Sequence, residues 1–267
     1  MILSRRCRPG LFVLFAFLIG EIGDSPLAAQ IPDSAKVAPA RDSARVVRWT
    51  SAVWALGGIA VLSLIDEPVQ RYTQKHRSNT LESLAKVFER QGSAVYYGGV
   101  SLGVLAVGVV SGDNDITRAG GRLVATVAGS SLVMQGMKML VGRSRPNANA
   151  GAYDFHPFST LEDSRGVEQS ESMPSGHTTV AFAVATAVAD DLESLPISVI
   201  LYTWAAGAGF SRVYENRHWL SDTAVGALFG ITTAKIVTGR WRVFNLKPPQ
   251  FLIAESGAMG LAWNLEF

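Results

Sequence analysis

Six apolar segments of helical length follow one another along this chain, and they constrain its fold more than any other feature. Glycine, alanine and serine recur inside these segments, and small residues allow helices to approach one another closely. We therefore predict an all-α fold, a bundle of six main helices. The segments are residues 47–65, 94–110, 119–141, 174–189, 195–213 and 219–238.

The chain before the bundle has two parts with different compositions. Residues 1–29 have the pattern of a secretory signal, because three arginines precede an apolar stretch at 11–20 and small residues follow it. Residues 30–46 show no apolar period and predict a flexible lead-in. We therefore expect a protein exported to the cell envelope, the periplasm, with its helical domain at residues 47–245.

Two further stretches have patterns of their own. Residues 70–92 are polar with apolar side chains at helical spacing, which predicts one amphipathic helix. In residues 246–267 apolar side chains alternate with others around a turn at 255–257, which predicts a C-terminal β-hairpin. Residues 147–173 form a long loop and are a candidate for contact with a substrate.

Composition excludes several classes of function. Of the 267 residues, 48% are hydrophobic and 17% are charged, and the formal net charge of +2 is too small to predict binding to nucleic acid. The one cysteine, Cys7, lies in the predicted signal, so the mature chain has no disulfide. His76 and His156 lack the spacing of metal ligands, so we predict neither a metal nor a cofactor.

The chemistry of the chain concentrates between Ser211 and Asp222. His218 and Asp222 are four residues apart and share one face of a helix. A carboxylate in that position can hold one imidazole nitrogen and leave the other free to attack. Arg212 adds a permanent cation, which suits an anionic substrate.

Two upstream motifs have matching chemistry. Lys138 is followed after six residues by Arg145, which gives two more cations. A turn and a second histidine follow later in the chain, at Pro174, Ser175, Gly176 and His177. In an up-and-down bundle these motifs and the one at 211–222 all fall at helix ends on the same side. We therefore predict that they converge on one phosphate-binding site.

Together the three motifs resemble the signature of the type 2 phosphatidic acid phosphatase and vanadium haloperoxidase superfamily. That signature reads K-x6-RP, then PSGH, then SR-x5-H-x3-D, and this chain matches it at residues 138–146, 174–177 and 211–222 without departure. The flanking helices extend the resemblance to roughly residues 48–240. The family's fold is a helical bundle of the kind predicted above.

The resemblance and the residue chemistry imply the same roles. His218 is the expected nucleophile, Asp222 fixes its tautomer, and His177 protonates the leaving alkoxide and then activates water. The expected phosphate-binding groups are Lys138, Arg145, Ser175, Gly176 and Arg212. Arg143 and His156 remain open, since either could touch the substrate or simply lie on the solvated surface.

These features predict a metal-independent phosphatase that hydrolyses phosphomonoesters or pyrophosphates through a phosphohistidine. A lipid phosphate such as phosphatidic acid or polyprenyl diphosphate is the preferred substrate. A soluble, exported, non-specific acid phosphatase is the alternative, and a vanadium haloperoxidase and a non-catalytic envelope scaffold are two others. The oligomeric state is left open.

The relation to the membrane is also open. The apolar segments are marginal against the roughly 20 residues that a span needs. If all six crossed the bilayer after an exported N-terminus, the site would face the cytoplasm. We therefore favour an exported bundle that is soluble or lies on a membrane, with an integral protein as the alternative.

Overall fold

The computed structural model describes residues 45–47, 49–158, 170–242, 250–253 and 259–262. The predicted signal at residues 1–29, most of the predicted lead-in and the predicted hairpin turn at 255–257 lie outside the described residues. Within those ranges the chain forms eight α-helices and four short strands. The predicted all-α bundle is confirmed.

The helices follow the apolar segments closely. They are α1 (Trp49–Ser63), α2 (Asp66–Lys75), α3 (Asn79–Gln91), α4 (Ala94–Ser111), α5 (Asn114–Val141), α6 (Gly176–Leu192), α7 (Leu195–Tyr214) and α8 (Leu220–Val237). Their ends have clear local causes at α5, where the Asp113 carboxylate accepts the N–H groups of Asp115 and Ile116. The same helix ends at Gly142, whose φ of 57° is the left-handed conformation that favours glycine.

The prediction of one amphipathic helix over residues 70–92 is wrong. Two helices, α2 and α3, occupy this stretch because Ser78 caps a new helix, its hydroxyl accepting the N–H of Leu81 at 3.3 Å. The Tyr214 hydroxyl fixes the break by accepting the N–H of Ser78 at 2.8 Å. The break lets α2 and α3 meet the bundle separately.

Helix α6 is the centre of the bundle, packed between α5, α7 and α8. Its side chains from Thr178 to Ala189 are almost all buried, and most are alanine, valine or threonine. Gly226 and Gly230 of α8 face this helix, and a Cβ on either would meet its backbone. Small side chains on both helices therefore set how closely α6 and α8 approach.

The strands are short and lie near the chain ends. β1 (Arg45–Val46) pairs in parallel with β2 (Trp241–Arg242), so the last residues of the predicted flexible lead-in are in fact ordered against the end of the bundle. β3 (Gln250–Ile253) and β4 (Met259–Ala262) pair antiparallel, with Gln250 opposite Ala262. The pairing of β3 and β4 confirms the C-terminal hairpin.

The four helix ends that carry the motifs meet at one end of the bundle, as predicted. The Ser175 N–H at the start of α6 donates to the Asp222 carbonyl in the first turn of α8, at 3.0 Å. The Trp219 indole, just before α8, donates to the Ser144 carbonyl, just after α5, at 2.9 Å. The Ser172 N–H donates to the Arg143 carbonyl at 2.9 Å. These bonds tie the connections between the helices together.

The outer surface of the bundle is apolar. Three helices, α4, α5 and α8, are each long and apolar enough to cross a membrane. Residues Thr50–Ser63 and α2 form a bent pair that is long and apolar enough when the two are taken together. Large side chains on these helices are open, with Trp54 81%, Val95 86% and Val110 88% exposed. Extensive exposed apolar surface marks contact with a membrane or a partner. The described chain thus has the surface of a membrane protein, which favours the integral alternative.

The close approach of α6 and α8 predicts the effect of a single methyl group. A Cβ at Gly230 would stand 2.9 Å from the Ala183 nitrogen and would collide with the Thr179 carbonyl oxygen. Because backbone atoms cannot yield cheaply, we expect Gly230→Ala to lower the free energy of unfolding by about 1–3 kcal/mol. Thermal unfolding in detergent micelles measures this change.

Gly103 of α4 supplies the matched control, because a Cβ there meets nothing within 4 Å. We expect Gly103→Ala to be neutral or to raise stability by up to about 1 kcal/mol. Equal melting temperatures for the two variants would contradict the packing described here.

Candidate active site

His218 lies in the turn between α7 and α8, with only 5% of its side chain exposed. Its Nδ1 is 2.6 Å from the Ser172 carbonyl oxygen. Because a carbonyl oxygen can only accept, Nδ1 carries the proton in the neutral ring and Nε2 has the free lone pair. That tautomer is the one a nucleophilic imidazole needs.

Asp222 holds this arrangement indirectly. Its Oδ2 lies 3.8 Å from Nδ1 of His218, which is beyond hydrogen-bond distance. The same oxygen accepts the Ser172 hydroxyl at 2.5 Å and the Trp219 N–H at 2.9 Å. The prediction that Asp222 itself fixes the tautomer is therefore revised, because the Ser172 carbonyl makes the direct contact and Asp222 anchors Ser172.

Arg143 has neither of the two roles left open by the sequence. Its side chain is fully buried, so it is not a surface charge. Its guanidinium donates to Asp222 at 2.7 Å, to Asp66 at 2.8 Å and to the Ala152 carbonyl at 2.6 Å. With its donors taken up by these groups, Arg143 ties α2, α8 and the loop after α5 together.

Lys138 lies in the last turn of α5 and is largely buried, with 11% of its side chain exposed. Its ammonium is 3.4 Å from a carboxylate oxygen of Glu171, in the loop before α6. Arg145 follows α5, and its charge acts on both Lys138 and His218. The two cations of the first motif thus lie beside His218, as predicted, with Glu171 as a counter-charge.

Arg212 approaches the site from the end of α7. Its two terminal nitrogens donate to Glu89 at 2.9 Å and to Glu215 at 3.0 Å. Its Nε is buried and has no hydrogen-bond partner within the described residues. A buried donor without a partner is costly, so this nitrogen is suited to receive an anion.

The turn before α6 differs in one respect from the prediction. Ser175 is the N-cap of α6 and is fully buried. We predicted that its N–H points out towards an anion, but this N–H donates to the Asp222 carbonyl instead. Gly176, the first residue of α6, remains at the helix N-terminus, which is a favourable place for negative charge.

His177, in the first turn of α6, packs against the turn between α3 and α4. A Cβ at Gly92 would lie only 3.0 Å from its ring. Burial, with the positive charge of Arg212, lowers the pKa of His177 to about 4. His177 is therefore neutral near pH 7, and the nearby Glu89 only partly opposes this shift.

Burial also lowers the pKa of the His218 imidazole, and the carboxylate of Asp222 opposes the effect. His156 lies on the exposed loop after α5, where it pairs with Asp154 at 2.9 Å. Among the described residues no group of three or more His, Cys, Asp or Glu side chains could hold a metal ion.

The three motifs therefore converge in one cationic site. Lys138, Arg145 and Arg212 supply positive charge around His177 and His218, which act on one another electrostatically. Such a set can hold a phosphoryl group, offer it an imidazole lone pair and supply a second imidazole for proton transfer. The carboxylates that neutralise two of these cations come from Glu89, Glu171 and Glu215.

The sequence reasoning missed several residues of this site. Ser172, Glu89 and Glu171 each contact a signature residue, and Asp66 contacts Arg143 between Lys138 and Arg145, yet none of the four is itself a signature residue. The position of Ser172, two residues before Pro174, was the one available signal. Asp66 and Glu89 lie far from the motifs in the chain, so no local pattern could place them.

Comparison with known proteins agrees with this geometry. Residues 119–245 match the family model of the PAP2 superfamily. The resemblance seen in the three motifs is thereby confirmed. All three motifs lie inside the matched region, whereas α1 to α4 precede it.

Curated relatives include two proteins named lipid A 1-phosphatase. The one from Porphyromonas gingivalis is 40% identical over 98 residues, which is 35% of this chain and 20% of the relative. The one from Rhizobium etli is 31% identical over 142 residues, which is 51% of this chain and 58% of the relative. The chain thus spans about a fifth of the length of the first relative and less than three fifths of the length of the second.

A solved structure shares the fold. The crystal structure of a transmembrane PAP2-type phosphatidylglycerolphosphate phosphatase from Bacillus subtilis superposes with a TM-score of 0.53 and 21% identity. The superposition covers 70% of this chain and 94% of that protein. This likeness supports the helical fold.

Occupation of the site by an anion should change the protonation of His177. The pKa of His177 is about 4 in the free site because burial and Arg212 disfavour the imidazolium. A bound anion favours the charged form, so we expect orthovanadate to raise this pKa towards its ordinary value. At pH 6 the ring should then change from neutral to protonated as the anion binds, which NMR of ¹³C-labelled histidine detects.

The exposed His76, which stacks on Tyr72, is the internal control, and its signal should not move when the anion is added. A His177 pKa that stays at about 4 in saturating vanadate would show that the anion does not bind beside this ring.

Proposed function

We propose that this protein is a metal-independent phosphatase that removes phosphate from a membrane lipid through a phosphohistidine intermediate. One observation carries the proposal: the three motifs meet so that His218, with Nε2 free, lies beside His177 and the three cations Lys138, Arg145 and Arg212. The match of residues 119–245 to the model of the PAP2 superfamily supports the same chemistry.

The first step is nucleophilic attack. The non-bridging oxygens bind to Arg145, Lys138 and the Arg212 Nε, which has no partner within the described residues. The dianionic phosphate then takes the place of part of the negative charge that carboxylates such as Glu171 supply to these cations. Nε2 of His218 forms a bond to phosphorus while the bond to the leaving oxygen breaks. The proton stays on Nδ1 throughout, hydrogen-bonded to the Ser172 carbonyl oxygen.

His177 completes the cycle. Substrate binding raises the pKa of His177, so that its imidazolium can give a proton to the leaving alkoxide. The neutral ring then takes a proton from water, the hydroxide attacks phosphorus, and the bond between phosphorus and Nε2 breaks. Inorganic phosphate leaves and His218 returns to its starting form.

A lipid substrate is supported by the surface of the bundle and by the relatives. Apolar side chains on α1, α4 and α5 remain exposed, which suits a protein whose substrate lies in a bilayer. The names of the two relatives add the 1-phosphate of lipid A to phosphatidic acid and polyprenyl diphosphate as candidate substrates. We propose further that residues 1–29 direct the chain to the cell envelope.

A substrate panel on the purified mature protein tests the proposal. Short-chain phosphatidic acid, polyprenyl diphosphate, lipid A and glucose 6-phosphate are compared with and without detergent, in the presence of EDTA. We expect phosphate release from a lipid substrate despite the chelator. We also expect His218→Ala to lose at least about a thousandfold in kcat, because it lacks the nucleophile.

The other readings give different outcomes in the same panel. Hydrolysis of glucose 6-phosphate above all lipids would favour a non-specific acid phosphatase. Oxidation of bromide by peroxide in the presence of vanadate would favour a haloperoxidase. No hydrolysis of any substrate, or full activity in His218→Ala, would reject the proposed function.

A further inference from the structure

A second carboxylate lies behind Asp222, outside the signature motifs and outside the region that matches the family. Asp66 is the first residue of α2 and is 1% exposed. Its Oδ1 accepts the Ser221 N–H at 2.8 Å, and its Oδ2 accepts the Ser221 hydroxyl and Arg143 Nη2, the latter at 2.8 Å. The residue thus joins the break between α1 and α2 to the first turn of α8.

Arg143 lies between the two carboxylates. It bonds Asp66 through Nη2 and Asp222 through Nη1, and all three side chains are fully buried. One cation and two anions leave this buried cluster with a net negative charge. Without Asp66, Arg143 would neutralise Asp222, and the cluster as a whole would carry no charge.

The charge of this cluster matters to His218 because that ring becomes positive when Nε2 bonds to phosphorus. The charges of Lys138 and Arg145 oppose positive charge on the ring, while Asp222 favours it. The neighbouring His177 adds no charge while it is neutral. The net negative charge of the cluster of Asp66, Arg143 and Asp222 therefore stabilises the positive charge on the imidazolium.

We propose that Asp66 is a positioning residue that acts through Arg143 and Asp222, keeping the cluster anionic and the phosphorylated His218 ring stable. This inference rests on the proposed function. Among the described residues the Asp66 carboxylate accepts hydrogen bonds from Arg143 and Ser221 and not from His218, so its effect on His218 is relayed.

The variant Asp66→Asn removes the charge and keeps the shape of the side chain. We expect kcat for the lipid phosphate to fall about tenfold to a hundredfold with KM little changed, because substrate binding does not involve Asp66. Without any substrate, the His218 pKa measured by NMR should also fall, since an anion that favours the imidazolium has been lost.

Glu67→Gln is the matched control. It removes a carboxylate one residue away, where Glu67 contacts Arg71 and the Ala152 N–H but none of the buried cluster. Both kcat and the His218 pKa should remain as in the parent protein. Equal behaviour of Asp66→Asn and Glu67→Gln would overturn the proposal.

A double variant separates charge from folding. Asp66→Asn with Arg143→Gln removes one anion and one cation, so the cluster keeps the single negative charge of Asp222. We expect the His218 pKa to return towards the parent value in this variant. A purely structural role of Asp66 predicts that the pKa moves still further from the parent value. If Asp66→Asn does not fold, the double variant is compared with Arg143→Gln alone. The two differ only in the charge of residue 66, so we expect a lower His218 pKa in the double variant.

The pKa readout also distinguishes this inference from the function on which it rests. Loss of the proposed phosphatase activity in the parent protein would leave the NMR comparison intact. A changed His218 pKa in Asp66→Asn together with an inactive parent would uphold the electrostatic link and reject the enzyme. If the parent protein is active and Asp66→Asn leaves the His218 pKa unchanged, only the role of Asp66 is rejected.

Discussion

The carboxylate of Asp222 is the interaction on which the site depends. It accepts bonds from Arg143, from the Ser172 hydroxyl and from the Trp219 N–H, which bring together the loops after α5, before α6 and before α8. Ser172 in turn offers its carbonyl to His218. Because the carboxylate is fully buried, each of these bonds also offsets the cost of burying its charge.

Helix packing makes this buried carboxylate possible. Small residues on α6 and α8 let the two helices approach until the Ser175 N–H reaches the Asp222 carbonyl at 3.0 Å. The start of each helix is then fixed relative to the other, which places His177 and His218 in one site. The apolar outer faces of α4 and α5 are left for a lipid environment.

The sequence was sufficient for the helices and for the convergence of the motifs, because both follow from apolar period and helix order. It placed Lys138, Arg145, Arg212 and the two histidines together correctly. The break at Ser78 was missed although the Ser78 side chain that caps α3 is a local signal. The bond from the Ser78 N–H to the Tyr214 hydroxyl depends on tertiary contact and could not be predicted.

Arg143 shows the physical limit of such reasoning. A basic residue next to a proline motif is ordinarily solvated, and only the approach of Asp66 and Asp222 from other helices makes its burial favourable. The same holds for the pairing of Arg212 with Glu89 of α3. Charge partners that come from distant parts of the chain leave no periodic signal in the sequence.

The central claim is that His218 takes the phosphoryl group on Nε2, and trapping that intermediate tests it most directly. The His177→Ala variant is incubated with p-nitrophenyl phosphate, whose leaving group needs no proton, and is then denatured and analysed by mass spectrometry. Because His177 is proposed to activate water, the phosphohistidine should accumulate, with the phosphoryl group on the peptide that contains His218. A phosphoryl group on another residue, or continued turnover when His218 is also replaced by alanine, would contradict the account.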